Sequence, residues 1–218
     1  MTPNGLFSGR SRCKARASAA RSRVVHVTLE DAWVSQDGGA FLRNVWPMYV
    51  HELSGFGADF YQLDGIGRWQ PEIVEGWIAR VTPAANLRDM RSHDHPEQPF
   101  QRGHVIRVAA ERVGFVCVGV RPFRYMPDGF DYTIAELFVV HRYRGAGAAQ
   151  QAVGAVLRRY PGHGHLCAIR GNARAIAFWR RALPALGVRQ LSEAQEPGEL
   201  VWTFRTDGPM GVAYVVSK

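Results

Sequence analysis

The chain has 218 residues, 46% of them apolar and 21% charged, which suits a single soluble domain with one sizeable core. No apolar run approaches the roughly 18 residues of a membrane-spanning helix, so no membrane partner is expected. The net charge of +8 invites a nucleic-acid partner, but six of the 27 basic residues fall within residues 1–23.

Those six are Arg10, Arg12, Lys14, Arg16, Arg21 and Arg23, and the same stretch holds no acid. The other 21 basic residues stand against 19 acidic ones, so the body of the chain is close to neutral and nucleic acid is not the expected partner. A leader of Ser, Ala and Arg cannot bury enough apolar surface to fold alone. It is expected to be disordered, or a start placed too far upstream; an organelle-type transit peptide or a nucleic-acid arm is the alternative. A secretory signal is not expected, because no apolar core of roughly 7–15 residues follows the basic ones. The expected organisation is a leader over residues 1–23 and one folded domain over 24–218. Cys13, Cys117 and Cys167 are odd in number and widely spaced, which points to a reducing, cytoplasmic setting. Cys117 and Cys167 lie in apolar strands and read as small core residues.

Residues 24–29 alternate like a strand. Phe41 to Leu53 has apolar residues at helical spacing, with Pro47 as an expected interruption. Residues 55–67 read as a glycine-rich, aromatic loop. Residues 71–81 read as a short helix with proline in its first turn, or as partly extended chain. Residues 82–103 are polar and read as a long connection. Residues 105–110 and 113–120 form a hairpin candidate that turns near Glu111 and Arg112. A strand over 133–140, a helix over 147–159, a strand over 164–169 and a helix over 172–183 follow. Two late strands fit 188–191 and 200–204. This order predicts an α/β (α+β) fold with a mixed, mostly antiparallel central sheet of about 6–7 strands flanked by helices.

The strongest signal is Ile134-Ala-Glu-Leu-Phe-Val-Val-His-Arg-Tyr-Arg-Gly-Ala-Gly-Ala-Ala149. It reads as an apolar strand, a basic bend, a small-residue turn and a helix start. Backbone free of bulky side chains can wrap an anion there, and the helix aims its unpaired N–H groups at the same point. The loop lacks Gly-x-x-x-x-Gly-Lys-Ser/Thr, which excludes a nucleoside-triphosphate loop. The next glycine after Gly147 is Gly154, and no acid falls about 20 residues on, so the dinucleotide fingerprint is excluded too. A bare small-residue helix start without a ligand is the plain alternative.

Arg144-x-x-Gly147-x-Ala149 after an apolar strand resembles the acetyl-CoA-binding signature of the GNAT superfamily of N-acetyltransferases. Asn172 to Leu183 resembles that family's later helix, Asn-x-x-Ala-x-x-Phe-Tyr, and the two elements stand one helix and one strand apart, as in the family. The resemblance covers residues 104 to 183. It implies a GNAT-type sheet and direct transfer of an acetyl group from acetyl-CoA to a primary amine in a ternary complex, with no metal. It implies that the N–H groups of Gly145, Ala146, Gly147, Ala148 and Ala149 take the CoA pyrophosphate, with Arg142 or Arg144 adding charge. Phe138, Val139 and Val140 would pair with the pantetheine arm, and the Val139 N–H would serve as oxyanion donor. Asn172 would cap the later helix and touch the pantetheine. Arg174 or Arg180 would meet the 3′-phosphate. The early helices would wall the acceptor site, with Tyr49, His51, Glu52 and Asp64 as candidates.

Glu136 is the lone acid in an otherwise apolar strand, and burial there would raise its pKa, so it is the first candidate for the base. The alternative is a glutamate facing solvent or paired with arginine. Asp131 and Glu52 stand behind it. Trp179 falls where the family has a tyrosine that protonates the leaving thiolate, and an indole N–H cannot do so. Tyr132, Tyr143 or solvent are the substitutes. That departure leaves room for a GNAT-like module that binds an acyl-CoA without turnover. His93-x-His95 and His163-x-His165 lack further ligands and are expected to face loops or solvent. The acceptor and the oligomeric state, a homodimer included, stay open.

Overall fold

In a computed structural model, which describes residues 26–32, 35–57, 62–67, 69–70, 101–123 and 125–207, the chain runs through twelve labelled elements. They are β1 (Val27–Asp31), α1 (Gln36–Ser54), β2 (Gln62–Leu63), β3 (Trp69–Gln70), β4 (Gln101–Val108), β5 (Glu111–Val120), β6 (Tyr132–Val139), α2 (Ala148–Arg159), β7 (Gly162–Ile169), α3 (Ala173–Ala185), β8 (Arg189–Glu196) and β9 (Glu199–Thr206). Seven strands join one sheet in the order β1-β4-β5-β6-β7-β9-β8, while β2 and β3 pair apart from it. Every neighbour pair in the large sheet is antiparallel except β6 with β7. This is the mixed, mostly antiparallel sheet expected from the element order.

Each face of the sheet buries its own core. On one, Val116, Val118, Ile134, Val139, Leu166, Trp202 and Phe204 pack under Val153 and Val156 of α2 and Ile176, Trp179 and Leu183 of α3. On the other, Leu42, Val45, Trp46 and Val50 of α1 pack on Val105, Phe115, Cys117 and Phe138. Trp46 stacks on Phe115 at 5.2 Å between ring centroids. A fully buried side chain of this size contributes about 1.5–3 kcal/mol, so these contacts outweigh local propensity.

That balance explains the departures from expectation. Helix α1 starts at Gln36, five residues before Phe41, because Ser35 caps it by accepting from the Gly38 N–H at 3.1 Å. It runs through Pro47 unbroken, since its apolar face is held against the sheet. The hairpin turns at Ala109–Ala110, not at Glu111 and Arg112, which pair with Val108 and Arg107. Strand β4 begins at Gln101, inside the predicted connection, and the predicted loop over 55–67 contains β2. Strand β8 reaches Glu196 although it is exposed along its length, because pairing with β9 extends it beyond any apolar pattern. The predicted helix over 71–81, His93 and His95, and residues 1–23 lie outside the described residues.

Candidate active site

The site grows from the end of β6. Its ladder with β7 covers only Tyr132↔Gly164 and Thr133↔His165, whereas its ladder with β5 continues to Gly114↔Val139. From Ile134 onward the two parallel strands part. The Val140 N–H donates to Val113 O at 2.8 Å, so alternation turns the N–H and C=O of Val139 the other way, into the gap. The missing side chain of Gly114 lets β5 come this close: a Cβ there would lie 2.1 Å from Phe138 O.

A β-bulge aims the acid. Cys117 pairs with Glu136 and Val118 with Ile134, so Ala135 is skipped and the faces exchange. Ile134 therefore joins the α2/α3 core, while Phe138 and, on the same face, Glu136 look toward α1. There the Tyr49 O–H donates to Glu136 Oε2. Burial pushes the Glu136 carboxyl up to about 7, against the hydrogen bond from Tyr49 that pulls it down. Burial, together with the charge of Glu136, pushes the Tyr49 phenol well above its ordinary value. Glu136 is thus half-buried, and among the described residues its hydrogen-bond partner is Tyr49 and not an arginine. Cys117, directly across the ladder, is fully buried with its thiol pushed well up, as a packed core residue should be. Cys167 departs from expectation: it is exposed, because it alternates with the buried Leu166 and Ala168 and so faces away from the α2/α3 core.

Beyond β6 the chain makes a 3-10 turn over His141–Tyr143 and enters the small-residue loop. Gly145 and Gly147 both take positive φ, +81° and +83°, which strains any residue with a Cβ. Gly147 is the N-cap of α2 and offers no side-chain cap, and no acid follows in the first turn. The first N–H groups of α2 therefore point outward with the positive end of the helix dipole. Gly145, Ala146 and Gly147 are exposed, whereas Ala148 is buried. Alongside lies a cavity of about 480 Å³ lined by Val27, Gly147, Gln150, Gln151, Gly154, Arg158 and Leu186.

Arg144 is engaged elsewhere than at this cradle. Its Nε donates to Val139 O, its Nη2 meets Glu52 of α1 at 2.7 Å, and its guanidinium lies over the Phe138 ring. Arg142 stays 75% exposed, with its guanidinium 4.8 Å from the Tyr143 ring centroid. Asn172 caps α3 by accepting from the Ala175 N–H at 3.0 Å. Arg180 is taken by Glu193, while Arg174 is exposed. Asp131 is committed to Arg121 and the His163 N–H. His165 is buried with Nδ1 3.2 Å from Thr133 Oγ1, contrary to the expectation of a solvent-facing ring. Among the described residues no group of three or more His, Cys, Asp or Glu side chains is placed to hold a metal. Tyr49 and Glu52 reach β6 and its turn from α1, and the contacts of Tyr49 with Glu136 and of Glu52 with Arg144 span 87 and 92 residues and left no local signal.

The family model described as the Acetyltransferase (GNAT) family matches residues 69–183. The chain belongs to the GNAT acetyltransferase family. That match covers β3 to α3 and therefore the parted strand, the cradle and the Asn172 cap; α1 lies outside it. Among solved structures, an acetyltransferase from Thermus thermophilus is 19% identical, with 82% of this chain and 97% of that chain covered at a TM-score of 0.49. A structure from Corynebacterium glutamicum, named as histone acetyltransferase HPA2 and related acetyltransferase, is 14% identical over 87% and 100%, at 0.48. Mycobacterium smegmatis RimJ, in complex with CoA-disulfide, is 16% identical over 83% and 86%, at 0.47. A comparison with curated proteins finds no match. GNAT members are acyltransferases that use acetyl-CoA.

Proposed function

We propose that this GNAT protein is an N-acetyltransferase that moves the acetyl group of acetyl-CoA directly to a primary amine in a ternary complex. The observation that carries the reading is the parting of β6 from β7 after Thr133, with the Val139 N–H turned into the gap and the Glu136 carboxyl on the α1 face beside it. In this reading the N–H groups of Gly145 to Ala149 hold the pyrophosphate, and Arg142, exposed at the same turn, adds charge. The edge of Phe138 to Val140 takes the pantetheine, and Asn172 meets it from α3. The Val139 N–H stabilises the oxyanion of the tetrahedral intermediate. Glu136, poised near neutrality, takes the proton that the amine must lose. The acceptor enters from the α1 side, past Tyr49 and Glu52. Residues 24–218 act as one catalytic domain, a reading supported by a single sheet that runs from Val27 to Thr206.

Trp179 supports a second reading, in which an acyl-CoA binds without turnover, because that position lacks the tyrosine hydroxyl of the family pattern. Two measurements separate the readings. Acetyl-CoA at millimolar concentration should raise the melting temperature where NADH does not, and a panel of primary amines should then release free thiol. A shift without thiol release favours the binding module. No shift contradicts both.

A further inference from the structure

Trp179 is 5% exposed in the α2/α3 core, so it offers the departing sulfur no acidic hydrogen. The two tyrosines near the motif are also turned to that core: Tyr132 holds its hydroxyl 3.1 Å from Thr206 Oγ1, and Tyr143 packs against the cluster. Tyr49 lies on the opposite face. It comes from α1, outside the stretch that matches the family, and its O–H rests on the carboxylate of Glu136. Trp46 and Phe115 meet its ring edge-on at 5.6 and 5.5 Å, and Phe138 lies at 5.9 Å. The phenol is therefore locked by packing beside the strand whose next residue, Val139, opens its N–H into the gap.

We infer that Tyr49 and Glu136 form one proton relay: the Glu136 carboxylate takes a proton from the attacking amine, and the Tyr49 hydroxyl passes a proton to the departing CoA thiolate. The inference rests on the transferase reading above and supplies its missing acid. The amine nitrogen forms the C–N bond while the carbonyl π pair moves to oxygen. That pair returns as the C–S bond breaks, and sulfur leaves with the bonding electrons. The amine proton goes to Glu136, the Tyr49 proton goes to sulfur, and the protonated Glu136 restores the phenol. The products are an amide and a thiol, with both side chains as they began.

A phenol alone here is a poor acid, because burial and the neighbouring carboxylate hold its proton. Coupled to a protonated Glu136, it delivers in effect the carboxyl's proton. Among the described residues, Cys117 of β5 and Cys167 of β7 also act on the pair, and both thiols are pushed up, so they stay protonated. One turn along α1, Glu52 is neutralised by Arg144.

Tyr49→Phe keeps the ring and removes the hydroxyl. Its acetyl-CoA-induced shift should match the wild type. Its kcat should fall about 100-fold with whichever of spermidine, tryptamine or kanamycin the wild type acetylates. The loss should disappear when the donor is the acetyl thioester of thionitrobenzoate, whose thiolate leaves without a proton. The acidic limb of kcat/KM should move to higher pH, because the Tyr49 hydrogen bond holds Glu136 down. Equal losses with both donors, or a Tyr49→Phe enzyme as fast as the wild type, overturn the relay. The wild type gives a second test that needs no variant: across donors of decreasing thiol pKa its rate should change little, and a steep dependence overturns the relay. A wild type that releases thiol with none of the amines contradicts the transferase reading instead.

Discussion

Gly147 is the residue on which the cradle turns. Its φ of +83° starts α2 without a side-chain cap, and a Cβ there would meet nothing nearer than Gln151 Nε2 at 3.9 Å. Space is open above it, so the cost of a side chain is backbone strain of about 1 kcal/mol and whatever charge it brings. Gly147→Glu sets a carboxylate where the pyrophosphate should lie, and Gly147→Gln brings the same strain without the charge. The acetyl-CoA-induced thermal shift should vanish in the first and survive, reduced, in the second; equal shifts in both would misplace the cradle. This part of the site was legible from sequence because main-chain groups build it, and small residues at fixed spacing announce such backbone. The Asn172 cap was legible because it is local, a side-chain oxygen accepting from the N–H three residues on. Arg144 was not. Its side chain answers to Glu52 and to the Val139 carbonyl, neither of which a spacing rule can see.

Among the elements, β6 positions the chemistry by what it does on each edge. Its β5 edge is fully paired and bulged at Ala135, which turns Glu136 to α1. Its other edge is paired with β7 at two positions and then parts from it, and there the Val139 carbonyl accepts from Arg144. The Val139 N–H belongs to that edge, so Val139→Pro removes a donor that the β5 ladder does not use. The variant should stay folded, bind acetyl-CoA more weakly because the same edge takes the pantetheine, and lose about 100- to 1000-fold in kcat at saturating acetyl-CoA, as expected for one oxyanion donor. Wild-type kcat in that variant would place the donor elsewhere. Strand, turn and helix were readable here because each obeys a local period. The bulge was not, since one skipped residue in an apolar strand leaves the composition unchanged while exchanging its faces. For the same reason Cys167 reads as core from its neighbours, yet the alternation of β7 turns it outward.

Across the whole molecule, Glu136 and the buried His104 pull stability in opposite directions with pH. Glu136 titrates at about 7 in the fold against an ordinary 4.5, because burial opposes its charge. Its contribution is complete below 4.5 and is lost as pH rises to 7. His104 titrates at about 4 against an ordinary 6.5, chiefly through burial and then through Arg159. Its contribution is complete above 6.5 and is lost as pH falls to 4. The windows overlap and His165, also lowered by burial, adds to the His104 side, so wild-type stability should rise only gently between about pH 5 and 6.5. Glu136→Gln removes one side of the balance. In urea unfolding its stability should climb through that interval and exceed the wild type by about 2–3 kcal/mol near pH 7. A difference between variant and wild type that stays constant from about pH 5 to 7 would mean that Glu136 is not held neutral by the fold. A carboxylate that costs stability at neutral pH is what a general base on an apolar strand requires, and it ties the fold's energetics to the proposed chemistry. The most direct test of that chemistry is intact-mass spectrometry of the full chain with acetyl-CoA, before and after a primary amine is added. Direct transfer predicts an unmodified protein in the first sample, then acetylated amine and free CoA in equal amounts. An acetylated protein formed from acetyl-CoA alone that passes its acetyl group to the amine, or free CoA released without acetylated amine, would contradict it.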